Sequence, residues 1–227
     1  MICTVAVAVT SGHRDRSWSS GQRRPLPVPA QASRHRSERE TTMGTIGVHE
    51  FVSLDGVFED PRWTADYGFT EAMGQAVGRL TESSSAILLG RTTYQMFAPA
   101  WSTRTAAEDP GAPFFNDTPK YVVSSTLTSA EDWQNSTVLG PYDPQAVRRL
   151  KDEVAGGIYI SGSGTLVRAL LADGLVDELH LMVYPVILGS GAELFPHGTQ
   201  RTSLTLTGQE SFENGVIHLT YTPAATT

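Results

Sequence analysis

The 227-residue sequence predicts one α/β domain built on a mostly parallel, twisted sheet flanked by helices and closed by a C-terminal antiparallel hairpin. Three observations predict it. Short β-rich runs alternate with segments of helical period from residue 46 to residue 184. The run Ala86-Ile87-Leu88-Leu89 is continuously apolar, as a strand covered on both faces would be. Two further β-rich runs flank Asn214-Gly215, a pair suited to the positive φ angles of a tight hairpin.

Ile46 to Ser53 is rich in β-branched and aromatic residues and ends in Ser53-Leu54-Asp55-Gly56, the chemistry of a strand running into a turn. A loop containing Pro61 and Trp63 follows. Behind Thr70, a natural N-cap, Met73, Ala76, Val77 and Leu80 recur at helical spacing, and Glu71 suits the positive end of the helix dipole. The strand Ala86 to Leu89 is closed by Gly90, and a short helix is predicted from Thr92 to Phe97. Lys120 to Ser124 and, more weakly, Ser136 to Leu139 read as strands.

Asp143-Pro144 supplies an N-cap and a first-turn proline for a helix with Val147, Leu150 and Val154 on one stripe, stopped by Gly156-Gly157. The strand Ile158 to Ser161, the turn Gly162-Ser163-Gly164, the helix Thr165 to Ala172 and the strand Glu178 to Tyr184 come next, with Pro185 at its end. Leu204 to Phe212 and Val216 to Tyr221 form the hairpin.

Charge divides the chain. The formal net charge of −7 combines +4 over residues 1–42, with seven arginines and three acids, and −11 over residues 43–227. The front segment is Ser/Arg/Pro-rich with no helical or strand period. It reads as a disordered tail, an upstream extension of the reading frame with translation starting at Met43, or a targeting peptide, and the fold is expected to occupy residues 43–227. So acidic a body repels phosphate backbones, which argues against nucleic acid as a partner. No apolar stretch reaches the roughly 18 residues of a membrane span. Cys3 is the only cysteine, which excludes an internal disulfide and a thiolate zinc site. Nothing points to an oxidising compartment, and a cytoplasmic location is expected.

In open α/β sheets ligands bind beyond the carboxyl ends of the strands. Three strand ends carry phosphate chemistry. In Gly90-Arg91-Thr92-Thr93 the glycine admits close approach, the guanidinium offers a fork of donors, and a helix start presents free N–H groups. Ser124-Ser125-Thr126 places three hydroxyls after an apolar strand. Gly162-Ser163-Gly164-Thr165 puts two glycines between a strand and a helix, although Val167 breaks the full G-x-G-x-x-G pattern. Each is also ordinary turn or cap chemistry; their joint occurrence is what points to a dinucleotide.

These residues resemble the dihydrofolate-reductase-like family, in the branch similar to the reductase domain of the bifunctional riboflavin-biosynthesis protein. The likeness spans residues 44–222. It rests on Ser53-Leu54-Asp55-Gly56, Leu88 to Tyr94, Ile160 to Gly164, and Gly174 to Leu179 continuing to Pro185-Val186-Ile187-Leu188-Gly189-Ser190-Gly191. The resemblance implies an eight-stranded sheet, NADPH as cofactor, Gly90, Arg91 and Thr92 on its phosphates, and Ser124 and Ser125 near the adenosine 2′-phosphate. It also implies Gly162, Ser163, Gly164 and Thr165 at the pyrophosphate and the nicotinamide half, and a homodimer, with the strand Glu178 to Tyr184 supplying the contact.

The chain departs from both relatives: the helix behind Thr70 lacks a convincing pterin-binding acid, and no cysteine set for a deaminase is present. The scaffold transfers to this chain better than either substrate does.

Hydride transfer asks little of a protein beyond holding two rings together, excluding water and supplying a polar partner. Asp55 is the candidate for that partner. Glu50, Glu59, Asp60 and Asp66 read as solvated, Phe58 and Trp63 as stacking or packing groups, and His49, His180, His197 and His218 as packing or surface residues without metal-ligand spacing. The expected function is an NADPH-dependent reductase of a small heterocyclic or carbonyl compound, with a nucleotide-binding protein lacking turnover as the alternative. Acyl or phosphoryl chemistry at Ser163 finds no adjacent base.

Overall fold

In the computed structural model, residues 44–224 are described; the expectations for residues 1–42 lie outside them. Apolar alternation makes β1 (Thr45–Ser53), and the run ending at Gly90 makes β2 (Ser84–Gly90). They are followed by β3 (Lys120–Val123), β4 (Ser136–Gly140), β5 (Gly157–Ile160), β6 (Glu178–Tyr184), β7 (Leu204–Ser211) and β8 (Ile217–Pro223). All eight join one sheet in the order β4-β3-β2-β5-β1-β6-β8-β7. The first six pair with one another in parallel, while β8 runs antiparallel to both β6 and β7.

Five helices cover the sheet: α1 (Glu71–Glu82), α2 (Arg91–Trp101), α3 (Ala112–Asp117), α4 (Pro144–Glu153) and α5 (Gly164–Ala172). On one face Val147 and Leu150 of α4 and Leu166, Val167 and Leu170 of α5 pack on Ile46, Val48, Leu88, Ile158 and Ile160. On the other, Tyr94, Ala98 and Trp101 of α2 and Phe115 of α3 pack on Ile87, Leu89 and Tyr159, and α1 packs Met73, Ala76 and Val77 against Met182 and Tyr184. Helices on both faces explain the apolar run in β2.

Two helices depart from expectation. The α2 helix continues through Pro99 to Trp101 because Ala98 and Trp101 are buried and the indole stacks on Phe115 at 4.2 Å. The unpredicted α3 opens at Gly111 with Pro113 in its first turn and exists to seat Phe115 and Asn116. It also encloses Lys120, whose ammonium donates to the carbonyls of Phe115, Asn116 and Thr118 at 2.8, 3.1 and 2.8 Å and lies 4.6 Å from the Trp133 ring centroid. Pro61–Tyr67, expected as loop, forms a 3₁₀ segment whose Trp63 meets Tyr184 edge-on at 5.4 Å.

Candidate functional site

Helix starts are where the site begins. The first N–H groups of a helix lack internal partners, and α1 and α4 meet this need locally. Thr70 accepts from the Met73 N–H at 3.3 Å and Asp143 from the Gln145 N–H at 2.9 Å. Neither α2 nor α5 does so: Gly90 and Ser163 occupy their cap positions and make no side-chain cap bond. Gly90 N–H bonds to the Gly162 carbonyl at 3.3 Å, so these two uncapped helix starts lie side by side at the ends of β2 and β5.

They open on a cleft of about 450 Å³ at the carboxyl ends of the strands. Gly90, Arg91, Thr92, Ser124, Ser125, Ser163 and Thr165 all line it, so residues 75 apart in sequence form one surface. Gly162 and Gly164 sit in the same turn, where the Gly162–Ser163 peptide is cis. Arg91 is exposed and forms no ion pair with another described residue. Two positive dipole ends and a free guanidinium make this cleft a fit for a polyphosphate. The sequence reading missed its far wall, Pro141 and Tyr142, because they follow the weakest strand signal; the Tyr142 hydroxyl donates to Asp173 at 2.6 Å. A larger recess of about 700 Å³ between the second half of α5 and residues 195–204 lies away from the strand ends and contains no helix start.

The glycines also have a packing role within the fold. A Cβ at Gly90 would overlap the Ser163 hydroxyl and stand 3.0 Å from its Cβ. One at Gly164 would reach Phe58 Cζ at 2.5 Å, and Phe58 packs half-buried against the core beside it. One at Gly162, where φ is +85°, would sit 2.7 Å from Thr93 Oγ1. Their bareness lets the β2 and β5 turns interlock. Ser124 is likewise occupied: its Oγ is buried and accepts from the Thr126 and Leu127 N–H groups at 3.1 and 2.9 Å, which leaves Ser125 and Thr126 as the exposed hydroxyls.

Asp55 lies outside this cleft's lining. Its carboxylate accepts from Ser53 Oγ at 2.6 Å, Leu188 N–H at 3.1 Å and Gly189 N–H at 2.7 Å, and these bonds, the Ser53 hydroxyl foremost, hold its pKa down to about 2. It is ionised at neutral pH and clasps the β1 turn to the loop after β6. Glu59 extends the clasp by accepting from Ala192 N–H at 3.1 Å, and Asp60 pairs with Arg62 at the surface.

Glu50 corrects the sequence reading outright. Expected as solvated, it is 6% exposed, and burial raises its pKa to about 8. Alternation alone cannot reveal this, because β1 is covered on both faces. Three of the histidines gather on the opposite face. His180 pairs with His49 in register, His180 Nδ1 lies 3.2 Å from His218 Nε2, and His49 Nδ1 lies 3.1 Å from the Tyr159 hydroxyl. Burial, then the two neighbouring histidines, lowers the His49 pKa to about 3. No group of three or more His, Cys, Asp or Glu among the described residues could hold a metal, and none of the described helices is long and apolar enough to cross a membrane.

Residues 45–218 match the family model of the RibD C-terminal domain. The uncharacterized protein YyaP of Bacillus subtilis (strain 168) is 27% identical over 185 residues, covering 75% of this chain and 90% of that one. Among solved structures, a putative riboflavin biosynthesis protein from Shewanella sp. PV-4 superposes with a TM-score of 0.65 at 21% identity, covering 80% of this chain and 99% of that one. Dihydrofolate reductase from Enterococcus faecalis, solved with NADP(H), does so with a TM-score of 0.53 at 14% identity, covering 81% and 98%. The fold is therefore dihydrofolate-reductase-like, and the chain belongs to the RibD C-terminal domain family.

Proposed function

We propose that this protein is an NADPH-dependent reductase that transfers a hydride to a small heterocyclic or carbonyl substrate, pterin-like or flavin-pathway-like. One observation carries the reading: α2 and α5, each without a side-chain cap, open together on the cleft that gathers Arg91, Ser125, Ser163 and Thr165. The family and the NADP(H)-bound fold relative support it.

In this reading the N–H groups at the start of α5 and the Ser163 and Thr165 hydroxyls hold the pyrophosphate, Arg91 and Thr92 neutralise phosphate charge, and Ser125 meets the adenosine 2′-phosphate. A reduced nicotinamide, when bound, supplies the hydride. Asp55 serves as a positioning residue: fully ionised, it has no proton to give, and it holds the loop 186–191 against the β1 turn so that water is kept from the reacting rings. A homodimer and a cytoplasmic location accompany the proposal.

Following absorbance at 340 nm while NADPH is mixed with dihydropterins, flavins and small carbonyl compounds tests it. Oxidation dependent on one of these substrates is expected. Saturable NADPH binding with no oxidation of any of them would favour the alternative, a nucleotide-binding protein without turnover.

A further inference from the structure

Glu50 lies within β1, three residues before its end and just past the last β1–β5 pair, beside the turn that joins β5 to α5. Its Oε1 is fully buried, has no hydrogen-bond partner, and lies 3.5 Å from the point a Cβ of Gly162 would occupy. A buried polar atom left unpaired forfeits its hydration with nothing in return, and native proteins rarely tolerate one without a use. Asp55 shows the contrast, since both of its oxygens are satisfied by the protein.

The position of Glu50 is as informative as its lack of a partner. The cleft holding Arg91 and Ser125 runs from the β4 end toward β5, and Glu50 lies past its inner end, on the β1 side of Gly162. A dinucleotide whose adenosine half fills that cleft directs its nicotinamide half toward β1. We propose that Glu50, as an uncharged carboxyl, donates a hydrogen bond to an oxygen of the nicotinamide-ribose half of the bound cofactor. This rests on the cofactor reading above.

The surroundings keep the group protonated. Burial alone raises the Glu50 pKa to about 8, and no cation compensates its charge. Tyr159 on β5 is the titratable group that feels a Glu50 anion, and it is itself pushed up by burial. From α2 the facing group is the neutral Thr93, and Arg168 of α5 is committed to the Leu194 carbonyl and Thr165. His49 is its neighbour in β1, on the opposite face, and is held neutral by burial. Below pH 8 Glu50 therefore has a hydrogen to donate; above it, a buried anion faces the ligand.

The experiment is calorimetric or fluorescence titration of the full-length protein between pH 7 and 9.5 with two probes, NADPH and adenosine 2′,5′-bisphosphate, which lacks the nicotinamide half. Neither probe changes charge appreciably in that range, since the second pKa of a phosphate monoester is about 6. If only protonated Glu50 admits the nicotinamide half, NADPH binding weakens roughly thirtyfold by pH 9.5, following the protonated fraction. Binding of the bisphosphate stays flat. The shape-conserving variant Glu50→Gln holds NADPH affinity constant over the same range. That variant also separates Glu50 from Lys120, whose pKa burial lowers to about 8.

Flat NADPH binding in the wild type overturns the proposal, and so does a parallel fall for both probes; both results are read on the wild-type protein alone. An unchanged pH dependence in Glu50→Gln also overturns it. Failure of both probes to bind at every pH instead overturns the cofactor reading beneath it.

Discussion

Replacing Gly90 by alanine tests the interlocked turns on which the cleft depends. The new methyl would overlap the Ser163 hydroxyl and stand 3.0 Å from Ser163 Cβ and 3.1 Å from its backbone nitrogen. Ser163 is the cap position of α5, so the overlap displaces a helix start rather than a flexible tip. Overpacking of this kind costs about 1–3 kcal/mol. With a urea m-value of about 2 kcal/mol/M for a domain of this size, the midpoint falls by roughly 0.5–1.5 M.

The diagnostic comparison is a double-mutant cycle with Ser163→Gly, which removes the hydroxyl and Cβ that the methyl strikes and leaves only the nitrogen at 3.1 Å. Ser163→Gly alone costs about 0.5–1 kcal/mol through added chain freedom. The two substitutions together should be less destabilising than their sum by about 1 kcal/mol or more, since the residues are in contact. Urea denaturation of the four proteins measures this. Strict additivity, or a Gly90→Ala protein as stable as the wild type, would refute the close approach of the β2 and β5 turns.

Further outcomes follow from other sites. Lys120→Met should destabilise by about 3 kcal/mol in urea unfolding, because the Phe115 and Thr118 carbonyls lose the ammonium donor and the Asn116 carbonyl keeps only Gln134 and Asn135. Acid titration should show a contribution from His49. Its folded pKa, about 3, lies below the ordinary 6.5, so its stabilisation is complete above pH 6.5 and is lost as the pH falls from 6.5 toward 3; His49→Gln should flatten that part of the stability profile. Asp55→Asn removes the ionised acceptor of Leu188 and Gly189, and limited proteolysis should then cut residues 186–191 faster while adenosine 2′,5′-bisphosphate binds as before.

Much of this molecule was legible in its sequence, for reasons that local chemistry explains. The alternation of strands and helices, the hairpin at Asn214-Gly215 and the caps Thr70 and Asp143 are local signals, and the parallel strands, the antiparallel β7–β8 pair, the Met73 N–H bond and the Gln145 N–H bond match them. The cleft residues were legible because phosphate chemistry concentrates at strand ends, where glycine, hydroxyl and arginine stand out from apolar strands. What a residue faces across the fold was not. The bareness of Gly90 and Gly164 serves Ser163 and Phe58, which are 73 and 106 residues away. Glu50 looked like any carboxylate near a turn until both faces of β1 were seen to be covered. Likewise α3 gives no periodic signal in six residues; its position depends on Lys120 and Trp133, which only the folded chain brings to it.

Whether the cleft between α2 and α5 holds NADPH is decided by titrating the wild-type protein and Arg91→Ala with NADPH and with NADH. Saturable NADPH binding is expected, with at least tenfold weaker binding of NADH and a roughly ten- to hundredfold loss of NADPH affinity in Arg91→Ala, the range for a hydrogen bond to a charged group. Equal affinity for the two cofactors would contradict the assignment of the 2′-phosphate to this cleft. Unchanged NADPH affinity in Arg91→Ala would contradict the cleft itself.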